Sequence, residues 1–179
     1  QAGLQGLSIA DAADFLQSGK RDHAAMLGPM ADVVFESLQY LRDDDARAMA
    51  AYLTALPEQQ VDSPLRLIRM SEDGRQTAMA EGRAIYADRC AGCHGDDGRG
   101  DTGAPALAGN RAVTMDFPLN AANMIREGGF AAATADNPRP HGMPPFYKLS
   151  DRELAAVLSF IRGSWGNDAA PVTPTNLRR

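Results

Sequence analysis

The chain has 179 residues, 44% of them hydrophobic and 23% charged, and carries a formal net charge of −5. A hydrophobic fraction near the globular average of roughly 45–50% argues against disorder, and the length suits one ordinary domain plus a remainder at about 100–200 residues per domain. Two cysteines exclude a disulfide scaffold, the absence of any Lys/Arg run beyond two residues excludes a phosphate-tracking nucleic-acid face, and with Lys20 and Lys148 the only lysines no lysine ring can steer an acidic partner.

In chain order, Ser8 with Asp11 three residues on predicts a helix N-terminus, and Gly19 its stop. A Gly/Pro-interrupted loop follows through Gly28, Pro29 and Met30. The next helix is predicted to bury a seam of Ala48, Ala51, Tyr52 and Ala55 and to end before Pro57. Pro64 and a polar, aperiodic stretch mark residues 57–74 as a linker. A second unit opens with a helix from about Arg75 to Arg89, carrying Met79, Gly82 and Tyr86 on one face. The Gly-rich run from Gly95 to Gly109 and the proline-rich stretch from Phe130 to Pro145 cannot be helix interiors. Ser150 and Glu153 form a capping box for a last helix with an apolar seam at Leu154, Val157, Leu158 and Ile161, stopped at Gly163. Helix dominates, and no alternating segment of strand length occurs. The longest apolar stretch, around Leu154, falls well short of the roughly 18–20 residues of a membrane helix.

Residues 41–53 and 149–161 align at a constant offset, and each is preceded by a methionine flanked by Gly and Pro, Met30 or Met143. Residues 1–56 therefore read as the second half of a unit whose complete copy spans 75–163. A first residue of Gln1 and the lack of a basic-then-apolar leader suggest a processed product or an excised piece.

Cys90, Cys93 and His94 form a C-x-x-C-H motif, the pattern in which two thiols add to haem vinyl groups and the adjacent imidazole becomes an axial iron ligand. The rival readings are a redox C-x-x-C and half of a zinc site. The first wants a thioredoxin-like βαβ setting and the second wants two more Cys/His nearby, whereas the other histidines are His23 and His141 alone. A sixth iron ligand is sought among eight methionines. Met143 stands out because the prolines of His141-Gly-Met-Pro-Pro-Phe146 can hold a side chain toward a metal; Met124 and His141 are the alternatives. Arg111 and Arg126 are candidates to pair with haem propionates. The G-x-G-x-x-G at Gly98, Gly100 and Gly103 lacks a preceding strand, so a dinucleotide site is not expected, and Asp96, Asp97 and Asp101 lack the terminal glutamate of a calcium loop.

At these residues the sequence resembles class I c-type cytochromes. Gly82-x-x-x-Tyr86 before Cys90, the C-x-x-C-H, Ala104-Pro105-Ala-Leu107 after it, Met143 in a Gly-Met-Pro-Pro turn and Phe160 in the final helix keep the family's order. The resemblance implies that the helices carrying Gly82 and Phe160 cross closely, that the Pro105 carbonyl fixes the tautomer of His94, and that Leu107 packs on the haem. More narrowly, Gly28-Pro29-Met30, Asn137-Pro-Arg-Pro140 and Ser164-Trp165-Gly-Asn167, among others, resemble the C-terminal part of the three-haem cytochrome c subunit of bacterial membrane-bound dehydrogenases for alcohol, gluconate and sugars. That family has three C-x-x-C-H motifs and this chain has one, so Met30 would be an orphaned ligand or a packing residue.

The expected fold is all-α: a class I cytochrome c domain around one covalent haem c over 75–163, preceded by a partial cytochrome c-like unit (1–56) without its own C-x-x-C-H and followed by a tail (164–179). The expected haem-binding set is Cys90, Cys93, His94, Met143, Tyr86, Pro105, Leu107 and Arg111, with His94 and Met143 on the iron. The expected role is one-electron transfer, not catalysis, at the periplasmic face of the inner membrane. Electrons would pass from a dehydrogenase catalytic subunit toward membrane quinone or a terminal oxidase. A haem peroxidase or gas sensor with an open sixth position, and a docking module with a structural haem, are the competing expectations.

Overall fold

The computed structural model describes residues 4, 6–21, 24–57, 70–101 and 103–177; His23 and the linker core at 58–69 lie outside them. The chain forms two compact units. One contains the described residues of 1–21, 25–62 and 129–142, the other those of 22–24, 63–128 and 143–179.

In the first unit, helix α1 (Ile9–Ser18) begins at Ser8, whose hydroxyl accepts the Asp11 N–H at 3.1 Å, and ends at Gly19 in the left-handed conformation. Its Ala12, Ala13 and Leu16 enter the core. The ladder of β1 (Lys20–Arg21) and β2 (Ala24–Ala25) follows. Helix α2 (Pro29–Glu36) starts inside the expected loop. Proline at the first helical position has a preset φ and lacks only an N–H that would be unpaired there. Helix α3 (Asp43–Ala55) opens with three aspartates, which favour the positive end of the helix dipole.

The buried face of α3 differs from the expected seam. Ala46 and Ala50 are fully buried, whereas Ala48 and Ala55 are exposed and Tyr52 is 67% exposed. Alanines recur so often along α3 that periodicity alone selects no unique face, and the small residues opposite α1 win. The Gly129–Gly142 segment, expected inside the haem domain, belongs to this unit and places Ala132 in its core.

The second unit is built on α4 (Glu72–Arg89), α5 (Ala91–His94), α6 (Arg111–Thr114), α7 (Leu119–Glu127) and α8 (Asp151–Arg162). Helix α4 starts within the expected linker because the Ser71 hydroxyl accepts the Gly74 N–H at 3.2 Å. Sequence periodicity assigns no element to α6 and α7. They are one and about two and a half turns long at 3.6 residues per turn, and α7 buries Ala122 and Ile125 in the core. In chain order between α7 and α8, β3 (Gly129–Phe130) pairs with β4 (Gly142–Met143), all of them but Met143 belonging to the first unit. Helix α8 carries the predicted capping box and buries Leu154, Val157, Leu158 and Ile161.

Helices α4 and α8 cross at Gly82. A Cβ there would fall on the carbonyl oxygen of Ala156 and 2.9 Å from Cβ of Phe160. The missing side chain lets Phe160 reach Tyr86, with ring centroids 5.3 Å apart. Within the C-terminal tail, Asn167, Val172 and Leu177 are buried.

Candidate haem-binding site

Helix α4 delivers the motif. Its last turn closes with the Cys90 N–H on the Tyr86 carbonyl at 2.8 Å, and α5 then turns once, the His94 N–H reaching the Cys90 carbonyl at 2.9 Å. This single turn leaves Cys90 half-buried, Cys93 exposed and His94 only 8% exposed. Two intervening residues thus separate the sulfurs along one edge while the imidazole turns inward.

The imidazole is fixed from behind. Its Nδ1 lies 3.0 Å from the Pro105 carbonyl oxygen. A carbonyl can only accept, so Nδ1 carries the hydrogen and Nε2 keeps a lone pair. Burial pulls the imidazole pKa below the ordinary histidine value, against the opposing pull of the Pro105 bond and of Asp101. A neutral ring with a free Nε2 lone pair is the form that ligates metal, and a carbonyl on the other nitrogen is the usual way such a ligand is oriented.

The loop that presents Pro105 is itself tied down. The Gly100 N–H bonds the His94 carbonyl at 2.9 Å, and the N–H groups of Leu107 and Ala108 bond the Gly98 carbonyl at 2.7 and 3.0 Å. Asp101, weighed above as a calcium ligand, accepts the N–H groups of Gly103 and Ala104 at 2.7 and 3.0 Å and so builds the turn. Tyr86 is buried and donates its hydroxyl to the Gly95 carbonyl at 2.7 Å. Burial raises its pKa well above the phenol range, so it remains a donor.

Two residues after α8 complete this scaffold, and sequence reasoning assigned neither a role. Trp165 packs against Tyr86 with the rings tilted at 55° and their centroids 4.9 Å apart, and donates Nε1–H to the Asp96 carbonyl at 3.0 Å. The buried Asn167 amide accepts from the Gly109 N–H at 2.9 Å and donates to the carbonyls of Leu107 (3.0 Å) and Ile161 (2.9 Å). A Trp and an Asn beside glycines just past a helix stop were the available signal.

The other predicted residues fall as follows. Leu107 and Met143 are half-buried against the same apolar core as Tyr86 and Cys90. Arg111 is exposed at the start of α6. Arg126 is ion-paired to Asp151 at 2.6 Å. Met124 is half-buried on α7, and His141 is exposed in the segment that belongs to the first unit. Met30 lies in the first turn of α2 and is 44% exposed.

Burial, helped by the neighbouring Cys93, pushes the Cys90 thiol up to about 11. An attacking thiol in a redox C-x-x-C is instead lowered, to about 3.5–7.5.

The profile of the cytochrome c family matches residues 79–165, the stretch that holds this motif, its Pro105 loop and α8. Through that stretch the chain belongs to the cytochrome c family. Over 93% of its length it is 40% identical to the alcohol dehydrogenase (quinone) cytochrome c subunit of Gluconobacter oxydans, and it covers 36% of that protein. The gluconate 2-dehydrogenase cytochrome c subunit of Pantoea cypripedii is 35% identical over 93% of the chain, which covers 39% of that relative. Cytochrome c-552 of Thermus thermophilus is 36% identical over 99 residues, 52% of the chain and 66% of the relative. The chain thus spans a little over a third of the length of the dehydrogenase subunits it matches.

A cytochrome c domain implies covalently bound haem c, and the residues present fit it. Two thiols sit one helical turn apart, and beside them the buried imidazole has its outer nitrogen already engaged. The remaining nitrogen is the one such a group requires. Among the described residues no helix of this cytochrome is long and apolar enough to cross a membrane.

Proposed function

We propose that this cytochrome carries single electrons through one haem c, anchored by Cys90 and Cys93 and ligated by His94 and Met143. The observation that carries the reading is the buried His94 ring, held by Pro105 as the neutral tautomer beside two thiols. When bound, haem c supplies a one-electron Fe(III)/Fe(II) couple. The chain's own residues orient the ligand, exclude water and keep the couple in a low-dielectric surround. Met143 is the favoured sixth ligand because its side chain joins the same core as Tyr86 and Cys90, between a Gly and two prolines that limit its freedom. With His94 and Met143 both holding the iron, no position on it would remain open to a substrate, which favours electron carriage over bond chemistry.

The names of the relatives support a place in a dehydrogenase complex. Electrons would enter from its catalytic subunit and leave toward membrane quinone or a terminal oxidase, at the periplasmic side. Tyr86, Pro105 and Leu107 support the ligand and line the group, and Arg111 is proposed to face a propionate.

Absorption spectra of the purified holoprotein test the assignment. The ferric form should be low-spin and unmoved by dilute cyanide. Met143→Ala should make it high-spin, open it to cyanide and lower the midpoint potential on the order of 0.2 V, a fraction of the roughly 0.8 V that axial ligands span. A wild-type protein that binds cyanide at once would instead support an open-site enzyme or sensor.

A further inference from the structure

We propose that Trp165 positions the imidazole of His94, and through it sets the reduction potential of the haem, by clamping the turn that carries the Pro105 loop. This rests on the reading of His94 as an iron ligand, and every residue involved belongs to the second unit. The backbone gives the first sign. Trp165 and Gly166 are the central residues of a turn closed by the Asn167 N–H on the Ser164 carbonyl at 2.9 Å. Both have positive φ, 55° and 85°, the sign pattern of a type I′ turn, in which Gly, Asn and Asp prevail. Among the described residues, Trp165 is the one non-glycine with positive φ. A bulky side chain there is strained, and such strain persists only where the surroundings over-determine it.

What holds the indole is the segment that follows His94. Its Nε1–H bonds the Asp96 carbonyl at 3.0 Å, and its ring lies against Gly98, where a Cβ would strike it. Gly98 is the relay. Its carbonyl accepts the N–H groups of Leu107 and Ala108, and two residues before Leu107 the Pro105 carbonyl meets His94 Nδ1 at 3.0 Å. Asn167, which closes the strained turn, grips the same loop through the Leu107 carbonyl and the Gly109 N–H. A shift of the Gly98 carbonyl therefore moves the loop and weakens the bond to Nδ1. An imidazole whose Nδ1–H is bonded to a carbonyl is the more basic ligand at Nε2. A more basic ligand favours Fe(III), so loosening the clamp raises the potential. Trp165 acts through Gly98 and Pro105 and is a positioning residue.

The test uses the holoprotein and two variants. Trp165→Phe keeps a ring on Gly98 and removes the bond to Asp96. Trp165→Gly suits the positive φ, so it keeps the turn and removes the clamp altogether. Proton NMR of the diamagnetic ferrous state follows exchange of the His94 Nδ1–H, and a redox titration gives the midpoint potential. In Trp165→Gly the exchange should quicken about five- to tenfold, as the loss of one hydrogen bond implies. At fixed potential the Fe(II)/Fe(III) ratio should rise about three- to tenfold, a midpoint higher by roughly 30–60 mV at about 59 mV per tenfold. Trp165→Phe should fall between wild type and Trp165→Gly. Glu153→Gln, which weakens α8 at its other end, should move neither readout at neutral pH.

Wild-type exchange and potential in Trp165→Gly overturn the inference. So do faster exchange at an unchanged potential and a shift that Glu153→Gln reproduces. If Trp165→Gly does not accumulate, Trp165→Phe decides alone. Should His94→Ala keep the wild-type low-spin spectrum, the ligand assignment fails and this inference with it. A spectrum lost in His94→Ala, with both readouts unmoved in the Trp165 variants, ends this inference only.

Discussion

Arg162 shows how much one side chain can hold. It is 1% exposed at the end of α8, and among the described residues its hydrogen bonds go to backbone carbonyls. Its Nε donates to the Ala170 carbonyl at 2.9 Å and one terminal nitrogen donates to the carbonyls of Val113 and Met115, both at 2.6 Å. Burial lowers its pKa, with Asp116 pulling the other way, and a guanidinium still stays charged. Arg162→Met keeps the apolar stem but strands three carbonyls, so a loss of about 3 kcal/mol is expected in urea unfolding. Arg162→Lys should recover only part, because a point charge cannot span the fork. The sequence hides this role: an arginine in a last helical turn reads as a solvated partner of the helix dipole. Cys90, Cys93 and His94 were legible for the opposite reason. Attachment chemistry forces them to be neighbours in the chain, whereas the bond from His94 to Pro105 crosses a loop and came to light beforehand only through family likeness.

At the level of elements, legibility followed length and capping. Helix α8 has a long apolar stripe and a capping box and could be read whole, whereas α4 was read from its Met79, Gly82 and Tyr86 face and its Ser71 cap was missed. Helices α6 and α7 are too short to show a period, and α2 begins on a proline that also reads as a turn. The α4–α8 crossing supplies a sharp prediction. Gly82→Ala should cost about 3 kcal/mol, since the new methyl meets backbone and neither helix can yield without parting Phe160 from Tyr86. Thermal melting of the holoprotein checks it.

The cap of α8 supplies a pH test. Glu153 accepts from the Ser150 hydroxyl and N–H, at 2.7 and 2.8 Å, and the hydroxyl bond first, then the backbone bond, hold its pKa below the usual 4.5. A depressed carboxyl stabilises the fold fully above its unfolded value and loses that contribution as pH falls through the folded value. Between about pH 5 and 3 the wild-type melting temperature should therefore fall toward that of Glu153→Gln, with the two curves parallel above that window.

Over the whole molecule, the internal repeat was visible in sequence and its consequence only in the structure. Helix α3 starts at Asp43 and α8 at Asp151, matching positions of the repeat. Phe160 is buried, yet its counterpart Tyr52 is 67% exposed. What local pattern could not reveal is that the proline-rich stretch before Met143 belongs to the first unit, because that depends on pairings such as Ser18 with Thr134, far apart along the chain.

That pairing also sets an order of assembly. During synthesis from the N-terminus, the core around Ala12 and Val34 cannot be sealed until residue 134 has emerged, and closing so distant a contact is slow. By then Cys90 and Cys93 have long since left the ribosome. Both thiols are thus available while the core of the first unit is still open.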